Sequence, residues 1–448
     1  MPTQGFEISI KTALMCLGLM TLAACSGSRD VFLASPEAVQ RIYLHGVPHI
    51  DGQGARRSVY SPSESFLPIG LYHALSGEHN GRSYDFSPLR AAGFNTVHAW
   101  EMQKLEPVAQ AAAANNLKLI FFNPTDDDVR RQLVDRDSPV LAWYLEQEPT
   151  KPVDDPAWRS HLSRFRARHD AIRTLDPIRP GLIIDTPFMT GPRAERWINW
   201  NTAADITSHF NYPILNHATP SLSAARGIPE TVARAVALNA ERKPVWFVVQ
   251  AFASPHQGWN MPDATQLRAM AYAALIHGAT GIIYFSLDSF VTRDDGVIGI
   301  SPDTLSEYGP APDYNGDGRP PLVADDALLK ASRTLWSAAS SLNRELAALQ
   351  AELLTATSPR DYMLEIAGHS HSPVPIRTLL KERDGIATLF AVNLDNRPLQ
   401  MRVTFDTAVH DLSVLFANVE APTSAEHGWT DQLGPFASRV YRFSFSGN

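Results

Sequence analysis

Four carboxylates in this chain stand where short apolar runs end. They are Glu101 after FNTVHAW, Glu148 within VLAWYLEQEP, Asp185 closing GLIID, and Asp288 after GIIYFSL. Aromatic, imidazole and amide side chains occupy the same kind of position: Tyr72, His73, Trp100, Asn123, Trp143, His209, Tyr212, Gln250 and, one loop later, Trp259. Glu146 lies two residues before Glu148 and shares its face if the strand there runs on unbroken. Sugar rings present apolar C–H faces fringed by hydroxyls. Aromatic platforms beside carboxylates and amides therefore suit a carbohydrate ligand.

The elements that must position these groups alternate along the chain. Eight apolar runs read as strands: 66–72, 94–100, 117–122, 140–145, 181–185, 204–209, 244–250 and 281–287. Helical patterns lie between them, among them 106–116, 156–174, 228–240 and 263–278, the last with an acidic start and a glycine stop. Runs this apolar suit strands covered on both faces. Eight such units predict an α/β protein built on a (β/α)8 barrel, whose reactive groups project from the carboxyl ends of the strands. A doubly wound open sheet is the structural alternative; no G-x-G-x-x-G follows the first strand, which removes its nucleotide-binding version. Beyond a long helical stretch, 322–354, short alternating segments at 386–393, 400–405, 412–416 and 438–445 predict a small C-terminal antiparallel β-sandwich. The expected organisation is a signal segment (1–24), a tether with a short β segment (25–59), the barrel (60–352) and the sandwich (353–448).

AWYLEQEP, a Tyr-Pro after the sixth strand, and PDATQLRAMAYAALIHGATGIIYFSL leading into the eighth resemble the (β/α)8 glycoside hydrolases of the cellulase and β-galactosidase superfamily, in particular secreted relatives with a W-Y-L-x-D-E-P fourth strand. The ending GWTDQLGPFASRVYRF is similar to the small β-domain that often follows those barrels. The resemblance implies that Glu148 is the general acid/base, protonating the glycosidic oxygen as the bond breaks. It also implies a nucleophilic glutamate at the end of the seventh strand, where this chain has Gln250. An amide cannot form the glycosyl ester. Three readings stay open: another carboxylate among Glu101, Asp185 and Asp288 pairs with Glu148; the substrate supplies its own nucleophile; or the barrel binds glycan without cleaving it. Retention and inversion are equally open.

The composition narrows the partners. The chain has 448 residues, 44% of them apolar, and a net charge of −8, which suits a large core and argues against nucleic acid. Its two cysteines, Cys16 and Cys25, exclude a disulfide framework and a cysteine-based metal site. Residues 12–24 form an apolar run of signal-peptide length, ending in Leu22-Ala23-Ala24-Cys25, which resembles a bacterial lipobox. That resemblance implies cleavage before Cys25, lipidation of its thiol, and a lipid-anchored cell-envelope protein. With Ser26 rather than Asp next, the outer membrane is the expected location. Asp313, Asn315 and Asp317, followed by Gly318, match the first half of a calcium loop, so a structural Ca²⁺ is an expected option, with no other cofactor required. Asp126-Asp127-Asp128 reads as a helix start, Trp197 and Trp200 as packing, and His256 as a neighbour of Trp259 on a cleft wall.

Overall fold

In a computed structural model the chain is described over residues 38–446, apart from 58–64, 135–137, 153–154, 217–221, 223–226, 303–312, 314–315, 368–372, 417–418 and 420–421. The lipobox with Cys25, the expected boundary at residue 60 and Asn315 lie outside the described residues.

Eight parallel strands close into a barrel: β1 (Ile69–Ala74), β2 (Thr96–Ala99), β3 (Lys118–Phe122), β4 (Val140–Gln147), β5 (Gly181–Asp185), β6 (Ile206–Phe210), β7 (Val245–Gln250) and β8 (Gly281–Phe285). They pair in sequence order, and β8 returns to β1. Helices α1 (Ser87–Ala91), α2 (Leu105–Ala114), α3 (Asp126–Val134), α4 (Trp158–Leu175), α5 (Ala194–Asn201), α6 (Ile228–Leu238) and α7 (Ala264–Ile276) fill the crossovers. A short α8 (Phe290–Asp294) follows β8, then the long α9 (Asp326–Ala348) and α10 (Gln350–Leu353). Helix starts obey local chemistry. Asp263 caps α7 in a reciprocal capping box with Gln266, and three aspartates open α3 at its positive end.

Two cores explain why the strands are apolar on both sides. Inside the barrel, Tyr72, Ile120, Tyr144, Leu182, Ile184, Trp246, Val248 and Ile283 pack together. Outside it, the opposite faces join the helices in a larger cluster that includes Trp143, Trp197, Phe247 and Tyr284. A hairpin of His49–Ile50 with Arg56–Arg57 adds Ile50 to the inner cluster.

Among the described residues the C-terminal part holds eight strands, twice the number of segments read from sequence: β9 (Tyr362–Ile366), β10 (Ile376–Arg383), β11 (Ile386–Asn393), β12 (Leu399–Phe405), β13 (Val409–Leu415), β14 (Thr423–Ala425), β15 (Gly428–Leu433) and β16 (Ser438–Phe445). They form two four-stranded antiparallel sheets, β9-β12-β15-β14 and β10-β11-β16-β13, packed as a sandwich. β10 escapes a period-two reading because it is buried on both faces over most of its length. One sheet leans on the barrel. Phe390, Val392 and Val440 enter the barrel's outer core, and Arg377 pairs with Glu230 of α6 at 3.2 Å.

Candidate active site

The site lies at the carboxyl ends of the barrel strands and is shaped by two irregularities in strand register. In β1 the pairing slips between Leu71 and Ala74, and His73 takes a left-handed backbone, φ 56°. The consecutive residues Tyr72 and His73 thereby both face the same cleft. In β4 the pairing slips between Tyr144 and Glu146. A bulge of this kind sets two residues against one partner and resets the inside–outside phase. Tyr144 and Gln147 consequently line the cleft, while Leu145 and Glu146 turn outward.

Glu148 follows directly, also with a left-handed backbone, φ 44°. For a non-glycine residue ahead of a proline this conformation is disfavoured, on the order of 1–3 kcal/mol, and persists only where neighbours impose it. Here the Glu148 N–H donates to the Ile184 carbonyl at 2.8 Å, and its own carbonyl accepts from the Lys151 N–H at 3.0 Å. Its carboxylate accepts from Thr186 Oγ1 at 3.0 Å and from Lys151 Nζ at 2.7 Å, with 20% of the side chain exposed.

The cleft encloses about 270 Å³ and is walled by Tyr72, Tyr144, Phe210, Tyr212, Phe252, Trp259 and Phe285. Tyr212 stacks on Phe210 (4.8 Å, 14°) and meets Phe252 and Trp259 edge-on. Burial, then Tyr72 and Glu148, raises the Tyr212 hydroxyl pKa well above its usual value, so this group remains a neutral donor. Tyr72 donates to the Tyr144 hydroxyl at 3.4 Å and stacks on His98 beneath it. Burial lowers His73 to about 4, so it meets a ligand as a neutral imidazole. Polar groups on the wall are Gln147, Glu148, Lys151, Gln257 and Asp295.

Of the rim residues read from sequence, the structure brings Tyr72, His73, Glu148, Tyr212 and Trp259 into this cleft. The others stand elsewhere. Trp143 is fully buried on the outer face, its indole donating to Asp176 at 3.0 Å. His209 is likewise fully buried outside the barrel, between Trp197 and Phe247. Glu146 pairs with His161 of α4 at 2.8 Å. Trp100 packs with Leu75, Phe290 and Val291 in a cluster beside the cleft. Gln250 is fully buried and bridges two loops: Oε1 accepts from the Ile214 N–H at 3.0 Å, and Nε2 donates to the carbonyls of Ile214 (3.1 Å) and Asn260 (3.0 Å).

The three carboxylates considered as partners of Glu148 also separate. Asp288 is buried and clamped by Arg293, with contacts of 3.2 and 2.9 Å. Glu101 is exposed and lines a neighbouring depression of about 780 Å³ with Phe122, Asn123 and Arg131. Asp185 is 1% exposed and accepts from the Thr150 N–H (3.0 Å), the Thr150 hydroxyl and the Thr186 N–H (2.8 Å). It thereby pins the turns on either side of Glu148. Residues that sequence reasoning missed are Tyr144, Gln147, Lys151, Phe210, Phe252, Gln257, Phe285 and Asp295. Phase errors account for Tyr144 and Phe210; Asp295 lies past a short helix rather than at a strand end.

Asp313 spends its carboxylate on the backbone N–H groups of Asp317 (3.1 Å) and Gly318 (2.9 Å), and Asp317 accepts from the Arg319 N–H. Among the described residues no group of three or more His, Cys, Asp or Glu side chains could hold a metal.

Burial raises the Asp185 carboxyl to about 7, against the opposing pull of its hydrogen bonds. A raised carboxyl favours the folded state fully below its unfolded pKa of about 4, and that contribution fades as pH rises through about 7. Asp185→Asn keeps the two N–H acceptor contacts and removes the titration. Its melting temperature should therefore fall less between pH 4 and 7 than that of the parent protein. Parallel slopes in calorimetric melts across that range would show that Asp185 does not titrate there.

The chain matches no family model and no curated protein sequence. Among solved structures it is similar to AbfB, a family 51 α-L-arabinofuranosidase from Bifidobacterium longum, at 9% identity and a TM-score of 0.49, covering 94% of this chain and 100% of that one. It is similar to a family 39 glycoside hydrolase from the gut symbiont Bacteroides cellulosilyticus WH2, at 12% identity and a TM-score of 0.48, covering 88% and 84%. It is also similar to the isomaltulose synthase PalI from Klebsiella sp. LX3, at 10% identity and a TM-score of 0.48, covering 84% and 98%.

Proposed function

We propose that the chain is a glycoside hydrolase acting on a poly- or oligosaccharide, with Glu148 as its general acid. One observation carries this reading: the Glu148 carboxylate is held, by a left-handed backbone and a hydroxyl donor, at an aromatic-walled cleft on the carboxyl-end face of a barrel. Aromatic rings take the apolar faces of sugars, while Gln147, Gln257, His73 and the tyrosine hydroxyls take sugar hydroxyls. An acid beside such a platform can reach a glycosidic oxygen. In the same reading Cys25 carries the lipid that tethers the barrel to the cell envelope.

A second reading, glycan binding without cleavage, is favoured by Gln250, whose amide is wholly engaged in bracing loops at the end of β7. A panel of poly- and oligosaccharides separates the two. Hydrolysis releases new reducing ends; binding alone gives calorimetric heat without them. Trp259→Ala should weaken binding of the best glycan about tenfold, since a stacked ring contributes roughly 0.5–1.5 kcal/mol beyond its buried area. Unchanged affinity in that variant would remove the aromatic platform from the argument. A panel giving neither heat nor products would overturn both readings.

A further inference from the structure

We propose that Asp295, on the loop after β8, is the catalytic base that works across the cleft from Glu148, so that hydrolysis inverts the anomeric configuration. The proposal rests on the cleft being hydrolytic and adds the second half of its chemistry.

Elimination gives the first argument. Breaking a glycosidic bond with two carboxylates needs one besides Glu148 facing the substrate. Asp185 and Asp288 are each 1% exposed and lie outside the cleft wall, and Glu101 lines the neighbouring depression. The position at the end of β7 is an amide already engaged by backbone. Among the described residues lining the cleft, the carboxylates are Glu148 and Asp295.

Topology gives the second. In the closed order of eight strands, β4 and β8 stand four places apart, on opposite sides of the ring. Glu148 directly follows β4, and Asp295 closes the short helix after β8. Inverting enzymes hold their carboxyl groups about 6.5–9.5 Å apart, with room for a water molecule, against about 5 Å in retaining ones, and mounts on opposite sides of the ring suit the wider spacing.

The mount gives the third. Asp295 closes α8, its N–H donating to the Val291 carbonyl at 3.1 Å, and α8 opens on a capping box of Ser289 and Thr292. The next segment is stitched across the barrel mouth: Ile298 exchanges N–H and C=O with Ala253 past β7, and Ile300 donates to the Ser286 carbonyl past β8. Gly299 runs so close that a Cβ there would sit 2.2 Å from the Ser286 carbonyl oxygen. The buried Asp288–Arg293 pair holds the helix from below. Asp295 is therefore carried on a braced loop, as a positioned base requires.

The step balances as follows. Glu148 gives its proton to the glycosidic oxygen as the bond to the leaving sugar breaks. A water oxygen donates its electron pair to the anomeric carbon from the opposite face, and the proton it sheds passes to Asp295. One water is consumed, and exchange with solvent returns both carboxyl groups to their starting states.

The test uses a glycan that the protein cleaves. Proton NMR of the first product should show the anomer opposite to that of the substrate. Asp295→Asn should lose about 10²–10⁴ in kcat. Its KM should change by less than about threefold and its calorimetric affinity for the glycan should be unchanged. Glu101→Gln should lose less than about tenfold. A retained anomer, a fully active Asp295→Asn, or Glu101→Gln as the crippled variant would each overturn the proposal while leaving the hydrolase reading intact. The anomer readout needs no variant, so it decides the matter even if a substitution impairs folding. Failure of the unsubstituted protein to cleave any glycan overturns the hydrolase reading, and Asp295's role with it.

Discussion

Glu148→Gln should lower kcat on a cleaved glycan by about 10²–10⁴, the usual contribution of a positioned general acid. The amide matches the carboxyl in shape and can still accept from Thr186 Oγ1, now 3.0 Å from Oε1. What disappears is a transferable proton for the leaving oxygen, so KM should stay within a few fold while kcat falls. The 2.7 Å contact with Lys151, an ion pair when Glu148 is ionised, loses its charge as well, but Lys151 is 66% exposed, and a pair of that kind is worth about 0–1 kcal/mol. The melting temperature should hardly move. A sharper check uses the leaving group. An aryl glycoside whose phenolate leaves readily needs no protonation, so the variant should recover most of its bond-cleavage rate on that substrate. Equal rates for parent and variant on an ordinary oligosaccharide would remove Glu148 from the acid's role.

The barrel and the neighbourhood of its site were legible because eight apolar runs separated by helical patterns leave few architectures. The strand bounds read from sequence fall within a few residues of those observed, and Gly181–Asp185 coincides with its strand. Side-chain direction was less legible. A strand buried on both faces shows no polar–apolar alternation, so sequence does not mark which face is inner. A phase error of one residue then exchanges the two faces. Trp143 was read where Tyr144 lies, and His209 where Phe210 lies. The bulge in β4 compounds this, because it breaks the two-residue rhythm between Tyr144 and Glu148 and sends Glu146 to His161. Nothing in WYLEQEP announces the slip; it follows from pairing with β5. Asp295 was missed for another reason. It reaches the cleft through a five-residue helix beyond β8, and a reading confined to strand ends stops before it.

The same distinction between position and contacts bears on Gln250, which sits where a nucleophilic carboxylate is expected from the resemblance. Gln250→Glu should destabilise the fold by about 3–5 kcal/mol at pH 7 and should not raise turnover. Nε2 supplies two N–H groups to the carbonyls of Ile214 and Asn260, and Oε1 takes the Ile214 N–H. An ionised carboxylate there would set an oxygen against two carbonyl oxygens in a fully buried site, with no cation among its contacts. Protonation relieves part of the repulsion. Holding a glutamate neutral at pH 7 costs about 3–4 kcal/mol, from a reference pKa near 4.3, and the single O–H still leaves one carbonyl unpaired. The deficit carries its own pH signature. The introduced carboxyl has a raised pKa in the fold, so the stability gap from the parent should be smallest below about pH 4 and widen as pH rises. Urea unfolding at pH 4 and pH 7 would read both values. A gap that narrows with pH would mean that the Ile214 and Asn260 carbonyls have turned away. A gain in turnover would mean that the side chain can leave its bracing role and enter the cleft. The bidentate fit to the backbone opposes both, because an amide is the one side-chain head that donates twice and accepts once in that geometry.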